Sequence, residues 1–126
     1  MPSSNQRRGY HAEYRCRELL EADGYLVWKS AGSLTAADLI AAKPGEWLLV
    51  QVKAGEATLQ HDWFNELFEI AHALTHNRHA GSYSRVHAIV ADFPKRKMRL
   101  RRITGLHVFH AQTWPLEAFS TDEVDE

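Results

Sequence analysis

The sequence has one cysteine, no long apolar run and no internal repeat, and each absence excludes a class of protein. Because Cys16 is alone, it forms no internal disulfide, and we expect a buried thiol in a reducing compartment. No run approaches the roughly 20 apolar residues that span a bilayer. The first arginines are followed by no apolar stretch typical of a secretory signal. We therefore expect a cytoplasmic protein without membrane contact, located in the host cytoplasm if its source is viral.

The size and composition predict one globular domain. The chain has 126 residues, of which 44% are hydrophobic and 25% charged, as in ordinary soluble proteins. We expect a single domain over residues 1–120, followed by an acidic, frayed tail at 121–126. A domain of this size has room for one active site.

The net charge of -1 conceals a strong segregation of charge along the chain. Residues 1–17 carry a net +3 and residues 18–77 a net -6, whereas residues 78–102 carry +7 and residues 103–126 carry -5. Most of the second basic block lies in residues 95–102, which we name the basic strip. Eight basic residues against one acid exceed what an exposed edge strand needs, so the block predicts binding to phosphates.

Hydrophobic periodicity predicts the order of helices and strands. Helices are expected at about residues 6–23, ending at Gly24, and at about 59–79. Strands are expected at 25–29, 38–42, 46–53 and 85–92, followed by a terminal hairpin of 95–103 and 106–109. Pro44 and Gly45 fit a type II turn between the second and third strands. We expect Trp28 and Trp47 in the core of an α/β fold, a mixed central β-sheet flanked by helices.

One set of polar residues falls at the end of this predicted hairpin. Pairing of the two strands should bring Asp38 close to Gln51 and Lys53, which share a face while Val52 points away. The Asp38 carboxylate, the Gln51 side-chain carbonyl and the Val52 backbone carbonyl are oxygen ligands suited to Mg²⁺. Glu13, on the flank of the first helix, could complete the site. Lys53 would orient the attacking water and stabilise charge on a phosphate.

Histidines on the second helix offer a competing metal site. His61, His72, His76 and His79 fall within about 60° of one another by helical geometry. This stripe lies nearly opposite the apolar face of the helix, and no cysteine or HExxH pattern accompanies it. We therefore interpret the stripe as a surface that faces solvent or DNA rather than as a zinc site.

The site residues and their surroundings resemble the PD-(D/E)xK nuclease superfamily, and within it the archaeal-type Holliday-junction resolvases. The similarity covers roughly the first 55 residues well and the rest in outline. It is carried by these segments in order: Gly9-Tyr10-His11-Ala12-Glu13, Gly24-Tyr25, Ser30-Ala31-Gly32-Ser33, Asp38-Leu39-Ile40-Ala41 and Gln51-Val52-Lys53. The resemblance implies a restriction-endonuclease-like core with the order αβββαβ and a C-terminal hairpin.

The resemblance also implies roles for single residues. Glu13 matches the glutamate of the first helix, Asp38 the metal-binding aspartate and Lys53 the catalytic lysine, while Ser33 lies in a loop used near the cleaved phosphate. Gln51 departs from the usual glutamate and removes one negative charge from the metal site, so we interpret it as a weaker ligand.

Two further departures concern DNA binding. Leu34 and Thr35 stand where lysines are common, and residues 54–62 have no basic residue. The expected DNA-binding residues are therefore Arg7, Arg8, Ser30, Lys95, Arg96, Lys97 and Arg99.

Three functions remain open from the sequence. The first is a Mg²⁺-dependent endonuclease, with Mn²⁺ able to substitute, that resolves four-way DNA junctions by paired symmetric nicks as a homodimer. The second keeps the site but acts on flaps, forks or duplex DNA, because fold and motif do not separate these substrates. The third is a non-catalytic DNA-binding module in which Gln51 marks a lost metal site.

Overall fold

The described part of the chain forms a mixed β-sheet between two helices. The computed structural model describes residues 4–30, 37–56, 62–76, 85–104 and 111–114. Within these ranges lie α1 (Ser4–Ala22), β1 (Leu26–Lys29), β2 (Leu39–Lys43), β3 (Glu46–Val52), α2 (Asp62–His76), β4 (Arg85–Asp92), β5 (Arg99–Ile103) and β6 (Ala111–Thr113). The expected acidic tail at 121–126 lies outside the described residues.

The strands are ordered in the sheet as they are in the chain. The described residues give six strands in the order β1-β2-β3-β4-β5-β6. All neighbours are antiparallel except β3 and β4, which are parallel. Parallel neighbours need a crossover connection, and α2 lies in it. The predicted α/β class with a mixed sheet is confirmed.

The first helix ends where the sequence predicts, at a glycine with a left-handed backbone. Gly24 has φ +97°, its N–H donates to the Glu21 carbonyl over 3.0 Å, and the Tyr25 N–H donates to the Leu20 carbonyl over 3.1 Å. This pair of bonds is the Schellman motif, which satisfies the last carbonyls of a helix. Tyr25 and Leu20 are both buried, so the chain turns directly from α1 into the core.

The hairpin that carries the polar residues also forms as predicted. Gly45 has φ +78°, the value that the second central residue of a type II turn requires. The turn sets Lys43 opposite Glu46, and the register continues to Leu39 opposite Val50. The two strand ends that carry the candidate site are therefore aligned by this turn.

The sheet buries a separate apolar cluster on each face. The cluster under α1 includes Cys16 and Leu20, and it packs on Leu48, Val50 and Ile89. The predicted burial of Cys16 is confirmed, at 0% exposure. The cluster under α2 consists of Ala37, Leu49, Phe64, Leu67, Ala71, Ala88, Val90 and Ile103. Alternation along β3 thus assigns odd and even positions to opposite faces.

The segment after β4 differs from the prediction of a continuous strand. Pro94–Arg96 form a 3₁₀ turn, in which Lys95 has φ 52° and Arg96 has φ 67°. Proline fixes its own φ and has no N–H to donate, so it favours a turn over a ladder position here. The strand begins only at Arg99. Its antiparallel partner lies at Ala111–Thr113, whereas the strand predicted at 106–109 lies outside the described residues.

The prediction that Trp28 and Trp47 belong to the core is wrong. They are 46% and 37% exposed and stack on each other, with ring centroids 5.9 Å apart. Both lie on the α2 face of the sheet, but α2 packs mainly on β4 and leaves the β1 side of that face uncovered by it.

No helix among the described residues is long and apolar enough to cross a membrane.

Candidate active site

Asp38 is fixed by backbone hydrogen bonds at the start of β2. Its N–H donates to the Val50 carbonyl over 2.7 Å, and its carbonyl accepts from the Ser30 N–H over 2.9 Å. Its side-chain Oδ2 accepts from the Val52 N–H over 2.8 Å. The carboxylate therefore closes the gap where β2 and β3 separate, and its position is set by both strands.

Gln51 lies at the same end of the hairpin as Asp38 and contains a buried oxygen that meets no hydrogen-bond donor among the described residues. Leu39 is paired with Val50, and Asp38 and Gln51 are the next residues of the two strands beyond that pair. Gln51 is 8% exposed, and the oxygen in question is its Oε1. A buried acceptor without a donor is costly, and a cation is one partner that would satisfy it.

The Val52 backbone carbonyl lies on the same side of β3 as the Asp38 carboxylate. The N–H and C=O of one strand residue point toward the same neighbouring strand. Because the Val52 N–H points to Asp38, its carbonyl does so as well. The three oxygens that the sequence predicts as magnesium ligands, from Asp38, Gln51 and Val52, are thus available at one corner of the sheet.

Lys53 follows β3 and is held against β4. Its N–H donates to the Ala91 carbonyl over 2.8 Å, which continues the parallel ladder one residue beyond the strand. Burial lowers the pKa of the Lys53 ammonium, while the nearby Asp38 charge opposes that shift. The lysine is therefore a partly desolvated cation beside an acidic group, and its charge is screened less than it would be in water.

Glu13 reaches the same corner from α1. Burial raises the pKa of Asp38, and among the charged neighbours Glu13 raises it further while Lys53 and Lys29 lower it. Glu13 Oε1 lies 3.4 Å from the Lys29 Nζ, an ion pair that the sequence did not predict. Lys29 ends β1 and pairs with Leu39, next to Asp38. The pairing of β1 with β2, which was not predicted from the sequence, is the signal that would have identified this ion pair.

The structure brings together Glu13, Asp38, Gln51 and Lys53, as the sequence predicted. Of the other candidate residues, only some lie in the described part of the chain. Ser30 is held through its backbone N–H to Asp38. Ser33 lies outside the described residues. Arg7 and Arg8 lie in α1, with their side chains outside the described part.

The basic strip is divided between exposed and paired residues. Lys95 and Arg96 are exposed, Lys97 is half-buried, and the Arg96 carbonyl accepts from Arg15 Nη1 over 2.9 Å. Arg99 is bonded through Nη2 to Asp92 Oδ2 over 2.6 Å. Arg99, which the sequence predicts as a DNA-binding residue, is therefore also one half of a salt bridge with the buried Asp92.

The histidine stripe gives no support for a zinc site in the described part of the structure. His72 and His76 are exposed and their ring centroids lie 4.3 Å apart, but His61 and His79 fall outside the described residues. Among the described residues no three His, Cys, Asp or Glu side chains are grouped to hold a metal. The proposed magnesium set consists instead of two carboxylates, one amide and one backbone carbonyl, ligands that suit a hard cation.

The described elements define an α/β fold in which a mixed sheet carries a helix on each face. This fold is similar to that of Hjc from Archaeoglobus fulgidus, a Holliday junction resolvase from an archaeal hyperthermophile. The TM-score is 0.56 at 20% sequence identity, over 74% of this chain and 70% of that chain. No family model and no curated protein matches the chain. A likeness at this identity establishes the fold, whereas function depends on the residues of the site.

Proposed function

We propose that this protein is a metal-dependent endonuclease of the PD-(D/E)xK type that cuts four-way DNA junctions. The observation that carries the proposal is the buried Gln51 Oε1, which meets no donor among the described residues and belongs to the hairpin end that also carries Asp38 and Lys53. An amide oxygen in this position fits a divalent cation. The likeness in fold to a Holliday junction resolvase supports branched DNA as the substrate.

The proposed metal ligands are Asp38, Gln51 Oε1 and the Val52 carbonyl, with Glu13 completing the set. A bound Mg²⁺ or Mn²⁺ would supply Lewis-acid stabilisation of the phosphate charge. Lys53 carries its ammonium beside these ligands, where it stabilises negative charge on the phosphate and orients the attacking water. Glu13 pairs with Lys29, whose side chain is 60% exposed, so water would solvate the Lys29 ammonium if the Glu13 carboxylate held the metal instead.

The proposed assembly is a homodimer. A four-way junction presents two symmetry-related strands, and a single domain with one site cuts only one of them. Paired symmetric nicks therefore require a second copy of the chain. We place this proposed activity in the cytoplasm.

The first test separates cutting from binding. We expect Asp38→Asn to abolish cleavage of a synthetic four-way junction in Mg²⁺, because it removes the charge that holds the metal. Junction binding in EDTA should stay within about threefold of the wild type, because binding rests on basic side chains. Gel-resolved cleavage and fluorescence anisotropy measure the two quantities.

Asp23→Asn provides the matched control. It removes the same charge from a buried carboxylate that pairs with Lys43 over 3.1 Å, and it should leave cutting intact once folding is checked by circular dichroism. Loss of both cutting and binding in Asp38→Asn would show that Asp38 is structural. A competition assay separates the substrates. If unlabelled linear duplex and unlabelled junction suppress cutting to the same extent, a flap, fork or duplex nuclease is favoured over a resolvase.

A further inference from the structure

Beside the candidate site, a buried carboxylate binds two arginines. Asp92 ends β4 and is 0% exposed. Arg99 donates to it twice, from Nε to Oδ1 over 3.0 Å and from Nη2 to Oδ2 over 2.6 Å. Arg101 Nη2 adds a bond to Oδ2 over 3.3 Å. Such a bidentate pair fixes the plane and direction of the Arg99 guanidinium.

The buried carboxylate of this cluster meets two arginines. Asp92 balances one of them, so among these three groups one positive charge is left over, and the exposed Glu56 is the acid that faces it. The Arg99 side chain is 34% exposed and Arg101 is 19% exposed, so the surplus is presented mainly at Arg99. Glu56 lies 3.9 Å from Arg99 and is 70% exposed, and an ion pair of that kind is weak. A stronger anion can therefore displace Glu56.

The cluster shares a face and an end of the sheet with the candidate site. Val52 is paired with Ala91, which sets Lys53 beside Asp92, and Asp92 is paired with Arg99. Directly opposed residues project from the same face, so Lys53, Asp92 and Arg99 form one row. Strands are about 4.8 Å apart, so Lys53 and Arg99 are separated by roughly 10 Å at the backbone.

That separation matches the spacing of phosphates along one nucleic-acid strand. Phosphates of one strand recur about every 3.4 Å along the axis of a duplex, so roughly 10 Å corresponds to up to three nucleotides. The hydrogen bond from the Phe93 N–H to the Gly55 carbonyl, at 3.0 Å, fixes the loop between the two positions. A strand cut beside Lys53 would therefore bring a neighbouring phosphate to Arg99.

We propose that Arg99 is a dedicated binding site for a second phosphate of the cleaved strand, oriented by Asp92 and Arg101. This inference rests on the proposed nuclease function. Asp92 acts as a positioning residue, because it contacts the arginines and not the DNA. Glu56 competes with the phosphate for Arg99, so it weakens binding of any DNA that does not deliver a phosphate there.

The test compares two arginines of the same strand that lie on opposite faces. Arg99→Gln should weaken junction binding in EDTA about tenfold and lower the slope of log Kd against log salt by about one. Arg102→Gln removes the same charge from the face that carries Trp114, whose ring lies 6.0 Å from the Arg102 guanidinium. It should change binding and the salt slope much less. If Arg99→Gln and Arg102→Gln gave the same slope of log Kd against log salt, Arg99 would be purely structural and the proposal would be overturned.

Neutral phosphate analogues locate the contact. Junctions with a single methylphosphonate, placed in turn at each of the three positions on either side of the cut, remove one phosphate charge at a time. One position should weaken wild-type binding about tenfold and have no further effect on Arg99→Gln. Additive losses at every position would contradict the assignment.

A third variant tests the competition with Glu56, and the outcomes separate the two proposals. Glu56→Gln should tighten binding severalfold in the wild type and should not do so in the Arg99→Gln background, whereas a general loss of negative charge would tighten binding in both. Arg99→Lys keeps the charge but not the fork, and it should restore the salt slope with incomplete affinity. Binding that follows these expectations without any cutting would overturn the nuclease but keep the phosphate site. Cutting and binding that do not change when Arg99 or Glu56 is replaced would overturn the phosphate site but keep the nuclease.

Discussion

Two lysines and two carboxylates meet at the corner where Asp38 lies, and their balance determines how the site behaves. Glu13 is paired with Lys29, and Asp38 feels the positive charges of Lys29 and Lys53. Burial nevertheless raises the pKa of Asp38 and lowers that of Lys53. The charged state of each group is thus less favourable than in water.

The raised pKa of Asp38 predicts the direction in which the stability of the fold changes with pH. Its folded pKa is raised, so its contribution to stability is fully present below the unfolded pKa and is lost as the pH rises through the folded value. At pH 7 the ionised carboxylate therefore destabilises the metal-free fold. Asp38→Asn should raise the thermal midpoint at pH 7 in EDTA, and the gain should vanish near pH 3, below the ordinary value of 3.8.

Differential scanning calorimetry measures this effect, and Asp23→Asn is again the control. Asp23 is buried and paired with Lys43, so its replacement should lower the midpoint at pH 7. If Asp38→Asn also lowered it, the carboxylate would be a stabilising part of the hairpin rather than a metal ligand.

Gln51 offers the second test at the residue level. Gln51→Glu adds a carboxylate across from Asp38, so it should lower the Mn²⁺ concentration for half-maximal binding about tenfold or more. The same change should destabilise the metal-free protein, because two buried carboxylates then repel each other. Calorimetric titration with Mn²⁺ measures the affinity, and thermal unfolding with and without metal measures the stability.

Gln51→Leu is the matched loss of the ligand. It should reduce Mn²⁺ binding and should stabilise the metal-free protein, because it removes a buried acceptor that meets no donor in the described part of the chain. Equal metal affinity in the glutamate, glutamine and leucine variants would exclude Gln51 as a ligand.

At the level of elements, the turns and helix ends explain which predictions succeeded. Gly24 and the Pro44-Gly45 pair carry local backbone requirements that are legible in the sequence, and both end or reverse the chain where expected. Asp38, Gln51 and Lys53 followed from the period of two and from the register that this turn sets. The placement of these three residues at one end of the sheet could therefore be predicted, because it depends on one hairpin.

Side-chain interactions between different elements could not be predicted from the sequence in the same way. The Glu13–Lys29 pair joins α1 to β1, and Asp92 gathers arginines from β5, so neither follows from a local pattern. The exposure of Trp28 depends on where α2 packs, which its own strand does not encode. The left-handed Lys95 and Arg96 were missed because positive φ is unusual for residues other than glycine.

Two glycines give opposite predictions for the same substitution. Gly45→Ala should destabilise the fold by about 1 kcal/mol, because φ +78° is strained for a residue with a Cβ. Gly9 lies inside α1, and no neighbouring atom lies within 4 Å of the point that an added Cβ would occupy, so Gly9→Ala should stabilise the fold by about 0.8 kcal/mol. Urea denaturation measures both. Equal effects of the two changes would contradict the backbone conformations described for the hairpin and the helix.

At the level of the whole molecule, the near-zero net charge results from segregated blocks. The acidic middle of the chain includes Asp38, a proposed metal ligand, and part of the basic block is neutralised by Asp92 inside the fold. Net charge is therefore a poor guide to the partner of this protein. Lys95 and Arg96 of the 3₁₀ turn are exposed and follow β4 at the end of the sheet that carries the proposed site.

The nuclease proposal depends on Lys53, whose partly desolvated ammonium lies beside Asp38. The most direct measurement is cleavage of a synthetic four-way junction in a Mg²⁺ series, read at nucleotide resolution, with the wild type and Lys53→Ala. We expect paired symmetric nicks that require Mg²⁺ and a loss of at least about a hundredfold in Lys53→Ala, with binding retained. Lys43→Met, which removes a lysine paired with Asp23, should cut normally once its folding is checked. Cleavage by Lys53→Ala at the wild-type rate, or no cleavage by a wild type that binds the junction, would contradict the proposed function.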